Sequence, residues 1–478
     1  MIPSHDSHPS HDSHPSHDLH PSHDSHPSHD LHPSHDSHTS RPFEGKTLLV
    51  LGGKPIGSYE IVVYAKSRGA RVIVTDYLPA EKSRAKQIAD ESWDVSTTEL
   101  DTLVSLVRRH RIDGVYAGAH EISLFKALEI CEQTGLPFYI TRRQWEIGTD
   151  KQLFKELCRR RGLPVITDYT DRLDADPSTI PLPAIVKPVD RSSGIGITVC
   201  HTHEELLAAC RFARTESIKG NIVVEKHIQG DEIAAYYTIK DGEIRMSAFA
   251  DYHYNYDQKG TMPLPQVYIY PGRHLEAYRR ELNDGVVALL QDQGFKNGIF
   301  VLQAFVNDDG FHIIEPAVRS PGCSIYKYTA YFNGISYSDM MVDYALTGRM
   351  GETDVNRENP LFPQPCATLS LVAKGGTVGQ ITGYEEAARM DGVIDAELRY
   401  GRGDTIPPRS GLRQVIMRFY LTGSDIGELR RMIDTIQSSV TVRDIRGENL
   451  LIAPFDLDRL AIYEENSESA SLNITNSR

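Results

Sequence analysis

The stretch Ile185-Val186-Lys187-Pro188-Val189-Asp190-Arg191-Ser192-Ser193-Gly194-Ile195-Gly196-Ile197 limits the possible folds more than any other part of the chain. An apolar strand ends in a lysine, a small glycine-containing turn follows, and a second strand begins. A lysine at a strand end can hold its charge over a phosphate. The Ser192-Ser193-Gly194 turn can aim backbone N–H groups at phosphate oxygens, because glycine tolerates φ > 0 and lets the backbone approach closely. This is not a Walker loop, whose lysine opens a helix. The competing reading is an ordinary hairpin with a surface lysine, and the stretch alone does not choose between them.

The 478 residues suffice for about three domains. With 40% hydrophobic and 24% charged residues, the chain has the balance of a soluble globular protein. Six of the charges behind its net −14 are aspartates in residues 1–40, which leaves −8 for the remainder. That mild acidity argues against a nucleic-acid surface. The six cysteines form no CxxC pair and no disulfide-scaffold spacing, so they read as reduced thiols. No apolar run approaches a membrane span, and no signal-like apolar stretch opens the chain. The expectation is a cytoplasmic protein with no membrane partner.

Residues 4–39 are six hexapeptide repeats that place a histidine at every third position from His5 to His38. Polyproline II would align these imidazoles along one edge, where they could bind Zn²⁺, Ni²⁺ or Cu²⁺. The segment cannot form a core, so residues 1–40 are expected to be a disordered His-rich tail. Strand 46–51, a Gly52-Gly53/Gly57 turn into a helix, and strand 70–76 ending in Asp76 describe a βαβ unit. GxGxxG is absent, and Ser58 stands where a P-loop needs lysine, so neither nucleotide motif is met. Asp150 or Thr149 is placed to cap a helix that starts at Lys151. Strands 299–306 and 311–315 are joined by Asn307-Asp308-Asp309-Gly310, a strong hairpin signal. Residues 251–273, with His253, Tyr254, Lys259 and Arg273, read either as the wall of an acceptor pocket or as a surface loop. The polar segment from Asp456 onward is expected to fray.

A nucleoside triphosphate needs its negative charges offset and its base enclosed by apolar walls. Lys151 and Lys187 are candidate cations. Gln303 and Glu315 lie on paired strands that can place both on one face. Glu315 ends an otherwise apolar strand, and Mg²⁺ suits such a carboxylate. Arg319 is suited to a bidentate grip on phosphate or carboxylate. The competing reading for Glu315 and Arg319 is an internal salt bridge, which leaves Lys187 and its turn unexplained.

Taken in order, these residues resemble the ATP-grasp superfamily from about Lys46 to about Pro454, most nearly its carbamoyl-phosphate synthase-like and biotin carboxylase-like carboxylate–amine ligases. The resemblance implies an α/β and α+β fold. Its parts would be a Rossmann-like pre-ATP-grasp domain (41–145), a two-lobed ATP-grasp domain (146–350) and a small C-terminal α+β domain (360–455), followed by a polar tail (456–478). It makes Lys151 and Lys187 the nucleotide-phosphate lysines, and Ser192, Ser193, Gly194 and Gly196 the lid over the phosphates. Glu225 and Ile228 become the residues meeting the adenine edge, and Glu232 the holder of the ribose hydroxyls. Gln303 and Glu315 become the metal ligands, and Arg319, with Lys187, the catalytic cation at the transferred phosphate. Two positions depart from the family pattern: Ala317 stands where the family usually has Asn, and Ile195 where many relatives have lysine.

The implied function is ATP- and Mg²⁺-dependent activation of a carboxylate as an acyl phosphate for attack by an amine, with Mn²⁺ able to replace Mg²⁺ and a homodimer as the assembly the resemblance allows. The alternatives are a carboxylating synthetase that forms carboxyphosphate from bicarbonate, an ATP-binding module without turnover (favoured by Ala317), and a metal-storing protein that uses the histidine tail.

Overall fold

The computed structural model describes residues 41–53, 57–189, 196–254, 264–408 and 410–464. Near-continuous apolar runs form the first sheet. Strands β1 (Thr47–Leu51), β2 (Arg71–Thr75), β3 (Glu91–Trp93) and β4 (Gly114–Tyr116) are all parallel, in the order β3-β2-β1-β4. Such runs suit strands buried on both faces. Helix α1 (Ser58–Ser67) and helix α2 (Glu121–Thr134) pack on this sheet. Asp76, the acid after β2, accepts the Gly53 N–H at 2.6 Å and lies 3.4 Å from Lys86 Nζ, so it serves the turn itself.

Three antiparallel strands form a separate small lobe. They are β5 (Ala184–Pro188), β6 (Thr198–Cys200) and β7 (Ile222–Lys226), with β5 in the centre. Helix α3 (His203–Glu216) covers them and closes a core of its own around Val186, Leu206 and Val224. The strand–lysine–turn–strand pattern therefore is a hairpin. Gly196 re-enters it at φ 75°, and a Cβ there would meet Pro188 Cγ at 2.6 Å, so only glycine fits. Ser192, Ser193, Gly194 and Ile195 lie outside the described residues.

The remaining strands are β8 (Asp231–Lys240), β9 (Glu243–Tyr254), β10 (Pro265–Tyr270), β11 (Gly298–Asn307), β12 (Gly310–Ala317), β13 (Cys366–Val372), β14 (Gly376–Thr382), β15 (Val393–Leu398), β16 (Thr405–Ile406), β17 (Val415–Thr422) and β18 (Thr441–Asp444). Eight of them make one antiparallel sheet in the order β12-β11-β8-β9-β10-β13-β17-β15, and β16-β14-β18 make a small sheet. The C-terminal strands thus extend the sheet that carries the hairpin β11–β12. Among the described residues no helix is long and apolar enough to cross a membrane.

Two expectations are corrected. Much of 251–273 is not a surface loop, because Asp251 and His253 are buried on β9, and all six residues of β10 are buried. Alternating aromatic and β-branched residues outweigh the local proline content there. Residues 456–464 do not fray either. Leu457–Leu460 forms a 3₁₀ turn, a short helix follows, and Leu460 and Tyr463 are buried. Two apolar anchors suffice to dock a segment that is polar by composition.

Candidate active site

Asp150 caps helix α4 (Lys151–Arg160), its carboxylate accepting the N–H groups of Gln152 and Leu153, both at 3.0 Å. The cap fixes Lys151 in the first turn. Lys155 follows one turn later on the same face. Lys151 Nζ pairs with Glu315 Oε2 at 2.6 Å. Lys155 and Lys187 both reach Glu225: Lys187 Nζ lies 2.6 Å from Oε2, and Lys155 Nζ donates to Oε1. Glu225 is 1% exposed, so it is a buried carboxylate held between two buried ammonium groups. Burial pushes its carboxyl up, but Lys187 and Lys155 outweigh that and hold it below the usual carboxylate range. Burial lowers the Lys155 ammonium, helped by the charge of Lys187.

Gln303 and Glu315 are direct cross-strand partners on β11 and β12, with the register slipping by one residue just beyond them. Both are half-buried and face the same side of the sheet. Burial raises the Glu315 carboxyl, while Lys151 foremost, then Lys187 and Arg319, bring it below its ordinary value. It is therefore ionised at neutral pH. Arg319 lies two residues beyond β12, with Nε 3.5 Å from Glu121. Glu232, at the start of β8, accepts a hydrogen bond from Tyr254 Oη at 2.9 Å. Its carboxyl is pushed up to about 7 by burial first and by the nearby Glu315, against the Tyr254 hydrogen bond. Ile228 is buried at the end of β7.

These groups fit a nucleotide with Mg²⁺. Among the described residues no cluster of three His, Cys, Asp or Glu side chains could hold a metal alone. One ionised carboxylate and one amide oxygen on a shared face nevertheless match Mg²⁺, which keeps waters and takes phosphate oxygens as ligands. Ala317 shares that face and supplies no donor.

Residues 165–345 match the family model described as D-ala D-ala ligase C-terminus. The chain is 28% identical over 203 residues to a formate-dependent phosphoribosylglycinamide formyltransferase of Parasynechococcus marenigrum (strain WH8102), which covers 41% of this chain and 51% of that protein. The biotin carboxylase of Campylobacter jejuni superposes with a TM-score of 0.68 at 16% identity, covering 85% of this chain and 93% of the other. The L-amino acid ligase of Bacillus licheniformis does so with a TM-score of 0.67 at 17% identity, covering 84% and 98%. Over residues 165–345 the chain is thus similar to the ATP-grasp ligases, and it shares their fold. It spans about half the length of the formyltransferases it matches.

Within this ATP-grasp fold the structure brings Lys151, Lys187 and Arg319 within electrostatic reach of Glu315, pairs Gln303 with Glu315 across the strands, joins Lys187 to Glu225, and brings Glu232 within electrostatic reach of Glu315. Sequence reasoning missed Lys155. In the polar run of α4 nothing marks it, because its role depends on where β7 places Glu225. It also missed Arg418, for which a signal exists: a charge in the middle of the apolar run Val415-Ile416-Met417-Arg418-Phe419-Tyr420-Leu421. Arg418 is 0% exposed on β17. Its Nε donates to Ser370 Oγ at 3.0 Å and its Nη1 to the Gly322 carbonyl, while Nη2 is buried without a hydrogen-bond partner among the described residues. Arg399 lies close by, with Nη2 3.3 Å from Glu397. Burial raises Glu397, but Lys327, Arg399 and Arg418 hold it at about 2.

Proposed function

We propose that the chain is an ATP-dependent carboxylate–amine ligase. The observation that carries the reading is the pairing of Gln303 with Glu315 beside three lysines, two of them buried, whose ion pairs among the described residues are with Glu225 and Glu315. A polyphosphate is the ligand such a concentration of cations suits.

Lys151 and Lys187 would bind the phosphates, and Lys155 would keep Glu225 compensated when Lys187 turns to the nucleotide. Glu315 and Gln303 would hold Mg²⁺, or Mn²⁺ in its place, which when bound neutralises charge on the phosphate oxygens. Arg319 would orient the γ-phosphoryl group. The substrate carboxylate would lie beside the loop after Arg319. One carboxylate oxygen attacks phosphorus, the bond to the ADP oxygen breaks, and an acyl phosphate results. The amine nitrogen then attacks the acyl carbon, phosphate leaves, and the amine loses a proton to water. The phosphate matters because a free carboxylate offers only oxide as leaving group. The side chains position reactants and offset charge, and need form no covalent bond.

The substrates on this reading are small molecules, with neither nucleic acid nor membrane as partner, and a homodimer is the proposed assembly. All six cysteines are buried free thiols, which suits the cytoplasm, where ATP is available. The test is ADP release across amino acids, other carboxylates and bicarbonate. Glu315→Gln should abolish Mg²⁺-dependent release without changing the fold. Normal turnover by that variant would refute the reading. ATP binding without release from any carboxylate would leave a binding module.

A further inference from the structure

Tyr254 aims the carboxylate of Glu232, yet it lies beyond the last β8–β9 register pair, Glu232 with Tyr252. Its partner on the other side is Pro265, where the β9–β10 register slips before Val267. The C-terminal segment meets β9 at this point. Arg459 donates to the Tyr254 carbonyl. Tyr463 Oη donates to Asp251 Oδ2 at 2.6 Å, and His253 Nε2 lies 2.8 Å from the same hydroxyl oxygen. Asp251 Oδ2 also accepts the Arg273 N–H at 2.9 Å, which ties the segment to the start of the next helix. The anchors are apolar: Phe455 and Leu460 are at most 2% exposed. Three contacts at one strand end, to the side chains of Asp251 and His253 and to the carbonyl of Tyr254, brace it against twisting.

We propose that residues 456–464 act as a brace for the ribose end of the nucleotide site, with Arg459 and Tyr463 as positioning residues that hold β9 so that Tyr254 keeps Glu232 aimed at the ribose hydroxyls. This rests on the ATP-ligase reading and on Glu232 as the ribose carboxylate. A hydrogen bond to a charged acceptor requires good alignment, and its strength falls steeply as the angle closes. Loosening β9 therefore weakens the ribose contact and leaves the phosphate contacts, which come from α4, β5 and β12.

The test compares Mg²⁺-ADP with Mg²⁺-2′,3′-dideoxy-ADP by calorimetry on the full chain and on Arg459→Ala, Tyr463→Phe and Glu232→Gln. The wild type is expected to prefer ADP by on the order of tenfold, the worth of one charge-assisted hydrogen bond. Arg459→Ala and Tyr463→Phe should each reduce the preference to roughly two- to threefold and leave dideoxy-ADP affinity unchanged. Tyr463→Phe keeps the buried ring, so it stays informative if Arg459→Ala folds poorly. An unchanged preference in both variants overturns the brace. Equal weakening of both nucleotides also overturns it, since that is what a general loss of structure would do. A wild type with no preference, or a preference that survives in Glu232→Gln, overturns it through Glu232. A wild type that binds neither nucleotide instead refutes the ligase reading.

Discussion

Glu225 is the residue on which the cationic site depends. It is the shared counter-charge of Lys155 and Lys187, so Glu225→Gln leaves two buried ammonium groups facing each other. Breaking a buried pair in this way costs about 3–5 kcal/mol, and urea denaturation should show that loss. Lys187→Ala is milder, because Lys155 still compensates Glu225. Its larger effect should be on ATP, whose affinity should fall roughly ten- to a hundredfold for one lost charge-assisted contact of about 1.5–3 kcal/mol. Glu232 behaves in the opposite way. Its carboxyl is raised to about 7, so the folded state holds a proton that the unfolded chain releases near 4.5. Stability therefore falls as pH rises from about 4.5 to about 7 and levels off above that. Glu358 and Asp339, both raised to about 7 mainly by burial, titrate in the same window, so the comparison must be with a variant. Glu232→Gln should be more stable than the wild type at pH 8, by on the order of 1–2 kcal/mol, and the gain should vanish by pH 4. A gain independent of pH would refute this account of Glu232. The function of the site is thus held at the expense of stability, as expected where a carboxylate must wait for a ligand.

Elements with local signals were legible in the sequence. The Asp150 cap, the 307–310 turn and the cross-strand position of Gln303 and Glu315 each follow from chemistry within a dozen residues. Elements whose meaning lies in distant partners were not. Lys155 has no local mark, prolines obscure the β9–β10 pair, and the polar composition of 456–464 hides that Leu460 packs in the C-terminal core while Tyr463 reaches Asp251 on β9. Arg418 is readable from its apolar run, which marks a buried charge on β17. The hairpin β11–β12 also gives a test in the direction of gain. Ala317 is in register with Val301 and lies two residues beyond Glu315, on the same face. Ala317→Asn puts a third oxygen donor beside the metal position, so the Mg²⁺ concentration for half-maximal ADP release should fall severalfold. An unchanged Mg²⁺ requirement would show that Ala317 does not face the metal.

The molecule as a whole is organised by the unbroken sheet from β12 to β15. The sequence suggests a small C-terminal domain from about residue 360, which raises the question whether it stands apart from the site. The hydrogen bonding joins the two: β10 pairs with β13 from Val267–Leu369 to Tyr270–Cys366, and β13 then pairs with β17. All six residues of β10 and all seven of β13 are buried. Tyr254 on β9 and Arg418 on β17 therefore belong to the same continuous ladder as Glu315 on β12. A chain ending at Asn359 would leave β10 as an exposed apolar edge, with Val267 and Ile269 stripped of Leu369 and its neighbours. Such an edge is a template for intermolecular pairing. That truncated chain should be insoluble or bind a hydrophobic dye strongly, even though it retains Lys151, Lys187, Glu225, Gln303, Glu315 and Arg319. The full chain should instead show coincident urea transitions in the fluorescence of its two tryptophans, Trp93 on β3 and Trp145, and in the far-ultraviolet signal of the sheet. A soluble, ADP-binding protein of residues 41–359 would refute the view that the C-terminal strands belong to the same cooperative unit as the site.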